Sequence, residues 1–211
     1  DQLYERPNYP KTSYYGAHSK NSATDEGFAL SEDWAEAIEA LSTKEYHNSE
    51  NASWRIKTHK NIAENKYIFE NMGVTTGPND GIIKTGSAML STEGVNASLF
   101  YDILNNGRIQ APYEKIIKVF ESSKPQTYRD FVDNYIQQFP EDRSQMIKQF
   151  LDNTKFATVD SNAGTRYKDL HDAQQAYLNA TDSASKAQLK AQYDAKLSEY
   201  KQWQEKLYKQ A

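Results

Sequence analysis

The chain has 211 residues, no cysteine and a net charge of −4, from 25 Lys and Arg against 29 Asp and Glu. The missing cysteines exclude disulfides, thiolate metal sites and cysteine nucleophiles. The weak acidity argues against nucleic-acid binding, which needs clustered Lys and Arg to neutralise phosphates. No apolar run approaches the roughly eighteen residues of a membrane span. Fifteen Tyr, eight Phe and three Trp, at a mean hydropathy of −0.89, predict a modest core in which aromatic contact area substitutes for scarce aliphatics.

Residues 1–30 carry Pro7, Pro10 and many Ser, Asn and Lys without a period, which predicts an extended arm. Tyr4, Tyr9, Tyr14 and Tyr15 suit a strap laid across the domain, and the opening reads as a mature or trimmed N-terminus. The first helix is expected from Ser31, a good N-cap, with Glu32 and Asp33 in its first turn and Trp34, Ile38 and Leu41 on one face. A second, long helix is expected over 49–73, capped by Ser49 and ended by Gly73. Its apolar residues fall into two stripes, Trp54, Ile62, Ile68, Phe69 and Met72 on one side and Ile56, Ala63 and Tyr67 on the other. That arrangement predicts a central helix.

The glycines and the proline of 74–94 predict a long loop with a helical turn near 88–90, and long loops in compact domains are often functional. A short helix follows, with Leu99, Phe100 and Ile103 inward and Gly107 past its end. Pro112, Pro125 and Pro140 are each expected to open a helix, and the apolar residues behind them repeat at helical spacing. The last section predicts an antiparallel hairpin broken near 181–183. Its seam sets Leu189, Tyr193, Leu197, Tyr200, Trp203 and Leu207 against Tyr167, Leu170, Gln174, Tyr177 and Leu178.

The motifs exclude more than they assign. The Gly-Pro-Asn-Asp-Gly-Ile-Ile-Lys-Thr-Gly run at 77–86 lacks phosphate-loop spacing. Lys84–Gly86 and Ser183–Lys186 stand in the wrong order for a penicillin-interactive serine enzyme, and no Gly-x-Ser-x-Gly elbow occurs. His18, His47, His59 and His171 show no i, i+4 pair, so no metal ligand set is expected. Glu32, Glu36 and Glu39 read as a solvated acidic face. The sequons at Asn51, Asn96 and Asn179 sit in or beside expected helices and read as chance matches.

The remaining candidate is Thr58, Asn61 and Asn65, polar residues inside the Trp54 arc. Buried amides must find partners. Either main chain satisfies them, or they line a ligand pocket with Trp54 as its wall.

The sequence therefore predicts an all-α, multi-helix bundle with an extended N-terminal arm (1–30), a helical core (31–156) and a C-terminal antiparallel helical hairpin (157–211). The expected function is non-catalytic binding of a protein, peptide or glycan through Trp54, Thr58, Asn61 and Asn65, without cofactor, metal, nucleic acid or membrane span. The residue usage resembles that of Gram-positive bacterial surface proteins, so an extracellular or cell-surface location is expected, with the cytoplasm as alternative. Two other readings are a small hydrolase with its site at the 73–94 loop and an oligomeric coiled-coil scaffold, a homo-oligomer joined through the C-terminal helices.

Overall fold

A computed structural model describes residues 12, 14, 16–46, 52–69 and 83–211. The described residues form nine α-helices and two 3₁₀ turns, with two isolated β-bridges and no strand. Tyr4, Tyr9, Tyr15, His47, Ser49, Asn51, Met72 and residues 73–82 of the 73–94 loop lie outside them.

The first helix, α1, runs Glu26–Tyr46. Asp25, not Ser31, caps it, its Oδ1 accepting from the Phe28 amide at 2.7 Å. Ser31 lies one turn inside, where its hydroxyl bonds back to the Gly27 carbonyl. The expected arm is therefore shorter. What remains is a strap of residues 16–25, pinned along its length. The Thr24 amide donates to Ser91 O at 2.7 Å, and the Gly94 amide donates to Lys20 O at 2.9 Å. Ala23 bridges Thr92. Tyr14 packs on Phe28, and so does His18.

The 49–73 stretch is not one helix. It forms α2 (Ala52–Ala63), then a turn, then a 3₁₀ turn (Lys66–Ile68). Asn65 breaks it, at φ 47 and ψ 49 in the left-handed region. Asparagine tolerates that region better than most residues, and it ends helices for the same reason. The stretch is not central either. Trp54 is 56% and Ile56 42% exposed, and of the described residues of these stripes only Ile62 and Ile68 are buried. Arg55, Lys57 and Lys60 hold this helix at the solvent.

The central helix is α4 (Glu93–Leu104), buried at every residue from Glu93 to Tyr101. A helix apolar or small on all sides belongs in the interior. It follows the single turn α3 (Gly86–Leu90), where the helical turn was expected. Phe100 sits at the core's centre, its ring 5.0 Å from those of Tyr128 and Phe131 and 5.6 Å from Trp34. The core is thus aromatic, as the composition requires.

Around it stand α5 (Pro112–Ser123), α6 (Tyr128–Gln138) and α7 (Arg143–Asn153). Pro112 opens α5 at the first helical position. Pro125 does not open α6. Thr127 caps that helix by accepting from the Asp130 amide. Pro140 begins a 3₁₀ turn (Pro140–Asp142) that feeds α7.

The C-terminal helices α8 (Ala163–Asn179) and α9 (Ser183–Gln210) pack antiparallel on each other. Asp182 caps α9 through the Ser185 amide at 2.8 Å. Tyr177 and Tyr193 stack nearly parallel across the seam. Leu178, placed in the seam by spacing, instead points out at 55% exposure. The far end of α9 docks on the core. There the Trp203 indole N–H donates to Asp160 Oδ2 at 2.9 Å, and the Trp203 and Tyr208 rings flank Phe156.

Candidate functional site

The four expected site residues do not converge. Trp54 is exposed, with the Lys20 ammonium 5.5 Å above its ring. Thr58 is half-buried. Asn61 is half-buried and bonds the Tyr67 hydroxyl. Asn65 lies at the other end of the segment, only 8% exposed, and its Nδ2 donates to the Asn153 carbonyl at 2.8 Å. Main chain of α7, rather than the arm or the glycine-rich loop, takes up that amide.

Asn65 belongs to a different constellation, built where α2, α4 and α7 end together. Asn153 receives Asn65 on its carbonyl and donates from its own side chain to Asp102 Oδ2. Burial pushes the Asp102 carboxyl up to about 6, against the Asn153 bond and the Lys155 charge, which both favour the carboxylate. Burial likewise lowers Lys155, opposed by Asp152 and Asp102. Lys155 and Phe156 occupy consecutive left-handed positions, φ 48 and 63. This is a Schellman-type end to α7, with Phe156 N–H returning to Leu151 O and Phe156 buried as the closing hydrophobe. A lysine at the position that glycine usually takes is strained. Beside this junction, His59 Nε2 lies 2.9 Å from the Tyr101 hydroxyl. An isolated antiparallel bridge pairs Phe69 with Ile83. Phe69 packs on Tyr167, and the Lys155 ammonium lies 5.9 Å from the centre of the same ring.

A second constellation is a groove of about 580 Å³ between the 140–148 segment and the end of α9. Ile147 and Tyr208 supply apolar surface, and Glu141, Arg143, Lys148 and Glu205 supply charges of both signs. The Arg143 guanidinium donates to Ala211 O at 2.7 Å. Tyr208 is held from two sides, its hydroxyl bonding Asp152 and the Lys148 ammonium lying over its ring. A groove of this size lies in the usual range for small ligands.

Sequence reasoning names neither Asp102, Asn153 and Lys155 nor the groove residues. Asp102 and Asn153 are 51 residues apart, so no local spacing links them. The one available signal was Asn65 itself, a polar residue inside an apolar arc. Among the described residues no cluster of three or more His, Cys, Asp or Glu can hold a metal ion, and no helix is long and apolar enough to cross a membrane. No protein-family model matches the chain, and no curated protein or solved structure matches it either.

Proposed function

We propose that this chain is a non-catalytic binding module that takes a short peptide in the groove between α7 and the end of α9. The observation that carries the reading is the groove's lining. A fixed aromatic wall, Tyr208, stands among two cations and two carboxylates. Such a surface can pair a peptide's own charges and pack one apolar side chain. It is less suited to a neutral glycan, which offers no charge to match. An exported or cell-surface bacterial setting for such a module is suggested by its cysteine-free, polar and aromatic-rich residue usage. Peptide and glycan arrays probed with the wild-type chain and the double charge reversal Arg143→Glu/Glu205→Lys test it. Peptide binding that the reversal abolishes supports the reading. Silence on both arrays, or binding indifferent to the reversal, overturns it.

A second reading, a small hydrolase at the 73–94 loop, rests on one observation. Asp102, raised to about 6, has the poise of a general acid or base near neutral pH. Turnover of an ester, amide or glycoside panel that Asp102→Asn removes would establish it.

A further inference from the structure

Two of the four charges in the groove between α7 and the end of α9 are already paired within the chain. Glu141 meets the Lys115 ammonium at 2.9 Å. Lys148 meets Asp152 at 2.7 Å and also reaches the Tyr208 hydroxyl. The other two stand open. Arg143 is exposed, and among the described residues its one side-chain hydrogen bond goes to the Ala211 carbonyl. A guanidinium carries five N–H donors in a fixed fork, so most of that fork remains available to a carboxylate. Glu205 is exposed, and its carboxylate has neither an ion pair nor a hydrogen bond among the described residues. Lys201 and Lys209, one turn away on either side along α9, do not pair with it.

The two open charges stand at opposite ends of an apolar stretch. Here α9 runs antiparallel to α7, with Ala211 against Arg143 and Tyr208 against Lys148 and Asp152. Arg143 and Ile147 share one face of α7 at i, i+4, and Glu205 and Tyr208 share one face of α9 at i, i+3. Each wall therefore sets one open charge a turn away from one apolar side chain. From Glu205 to the Ala211 cap α9 rises about 9 Å, and Ala211 marks the level of Arg143. An extended segment covers that rise in about three residues.

Granted the groove as the peptide site, we infer that it selects a zwitterionic segment, with an acidic side chain on Arg143, a basic side chain about three residues away on Glu205, and an apolar side chain between them on Ile147 and Tyr208. A segment of one sign satisfies one open charge and is repelled by the other. A neutral segment leaves both to water. Exposed ion pairs are individually weak, so the selectivity comes from matching both ends at once.

Titration of the whole chain with acetylated, amidated hexapeptides reads this selectivity. Each peptide holds one leucine between two positions that are acidic, basic or neutral, in every combination and in both orders, and the amide shifts of Ile147 and Tyr208 locate the binding. The wild-type chain should bind acid–base peptides about fivefold tighter than acid–acid, base–base or neutral ones. Arg143→Glu should move the preference to base–base peptides, and Glu205→Lys should move it to acid–acid peptides. Both residues are exposed, so neither change touches the core. Binding at Ile147 and Tyr208 that ignores peptide charge, or a preference that survives both single reversals, would overturn the zwitterionic selectivity and leave the groove as a peptide site. Shifts at neither residue with any peptide would overturn both.

Discussion

Asn65 and Asn153 join two helix ends through a side chain and a carbonyl: Asn65 Nδ2 donates to Asn153 O at 2.8 Å. The bond requires the left-handed turn that ends α2, because that turn swings Asn65 inward at φ 47. Asn65→Ala puts a Cβ-bearing residue without this hydrogen bond into the left-handed region. The expected loss is about 2 kcal/mol, roughly half from the backbone and half from the bond. Asn65→Gly should lose less, since glycine adopts φ > 0 freely. Urea unfolding at neutral pH reads both variants, and an alanine variant as stable as wild type would show that the Asn65–Asn153 bond holds nothing.

The hairpin's attachment depends on Trp203. Its indole bonds Asp160 and its ring covers Phe156, with the Arg166 guanidinium 5.3 Å from its centre. Trp203→Ala should cost about 3 kcal/mol, at the lower end for a large aromatic because the ring is only half-buried. Trp203→Phe keeps most of the packing and should cost about 1 kcal/mol for the lost bond. Exchange of the last turns of α9 should accelerate far more than exchange around Phe100. Equal acceleration in both places would mean that the hairpin and core unfold as one unit.

Asp102 makes stability depend on pH in a stated window. Its carboxyl is raised to about 6 in the folded chain, against about 3.9 when unfolded. The folded state therefore holds a proton that the unfolded state has released, and stability falls as pH rises from about 4 through 6. The penalty above pH 7 is on the order of 2–3 kcal/mol. Asp102→Asn keeps an acceptor for Asn153 without the charge. It should match the wild type at pH 4 and exceed it at pH 8, which thermal melts at the two pH values would show.

Local periodicity made part of this architecture legible. Ile116 and Phe120, Phe131 and Tyr135, and Met146 and Phe150 repeat at intervals of four and are all buried, so α5, α6 and α7 could be read from spacing alone. The start of α1 could not. Asp25 and Ser31 are both good caps, and only the burial of Ala29 and Leu30 decides between them. The break at Asn65 carries no glycine or proline to announce it, and neither does the lysine in the left-handed position after α7. Asp33 shows the deeper limit. Its spacing places it in a solvated first turn, yet it is fully buried beside Glu93 and Asn96 of α4, and no local pattern encodes which helix will cover which carboxylate.

Two glycines separate packing from chain flexibility. At Gly86, which opens α3, an added Cβ would lie 2.4 Å from Ala157 O and 2.7 Å from Thr158 Cα. Both neighbours are main chain in the segment that links α7 to α8, so neither can rotate away. Gly86→Ala should cost about 1–3 kcal/mol as an overpacked contact. It should also perturb the 157–158 amides more than those of α3 itself. At Gly107 a Cβ meets nothing within 4 Å, so Gly107→Ala should change stability by no more than about 0.5 kcal/mol. Denaturant unfolding of the pair, with amide shifts recorded for each, distinguishes them. Equal stabilities would show that the 157–158 main chain yields to the added methyl group and that the close approach at Gly86 is not a packing constraint.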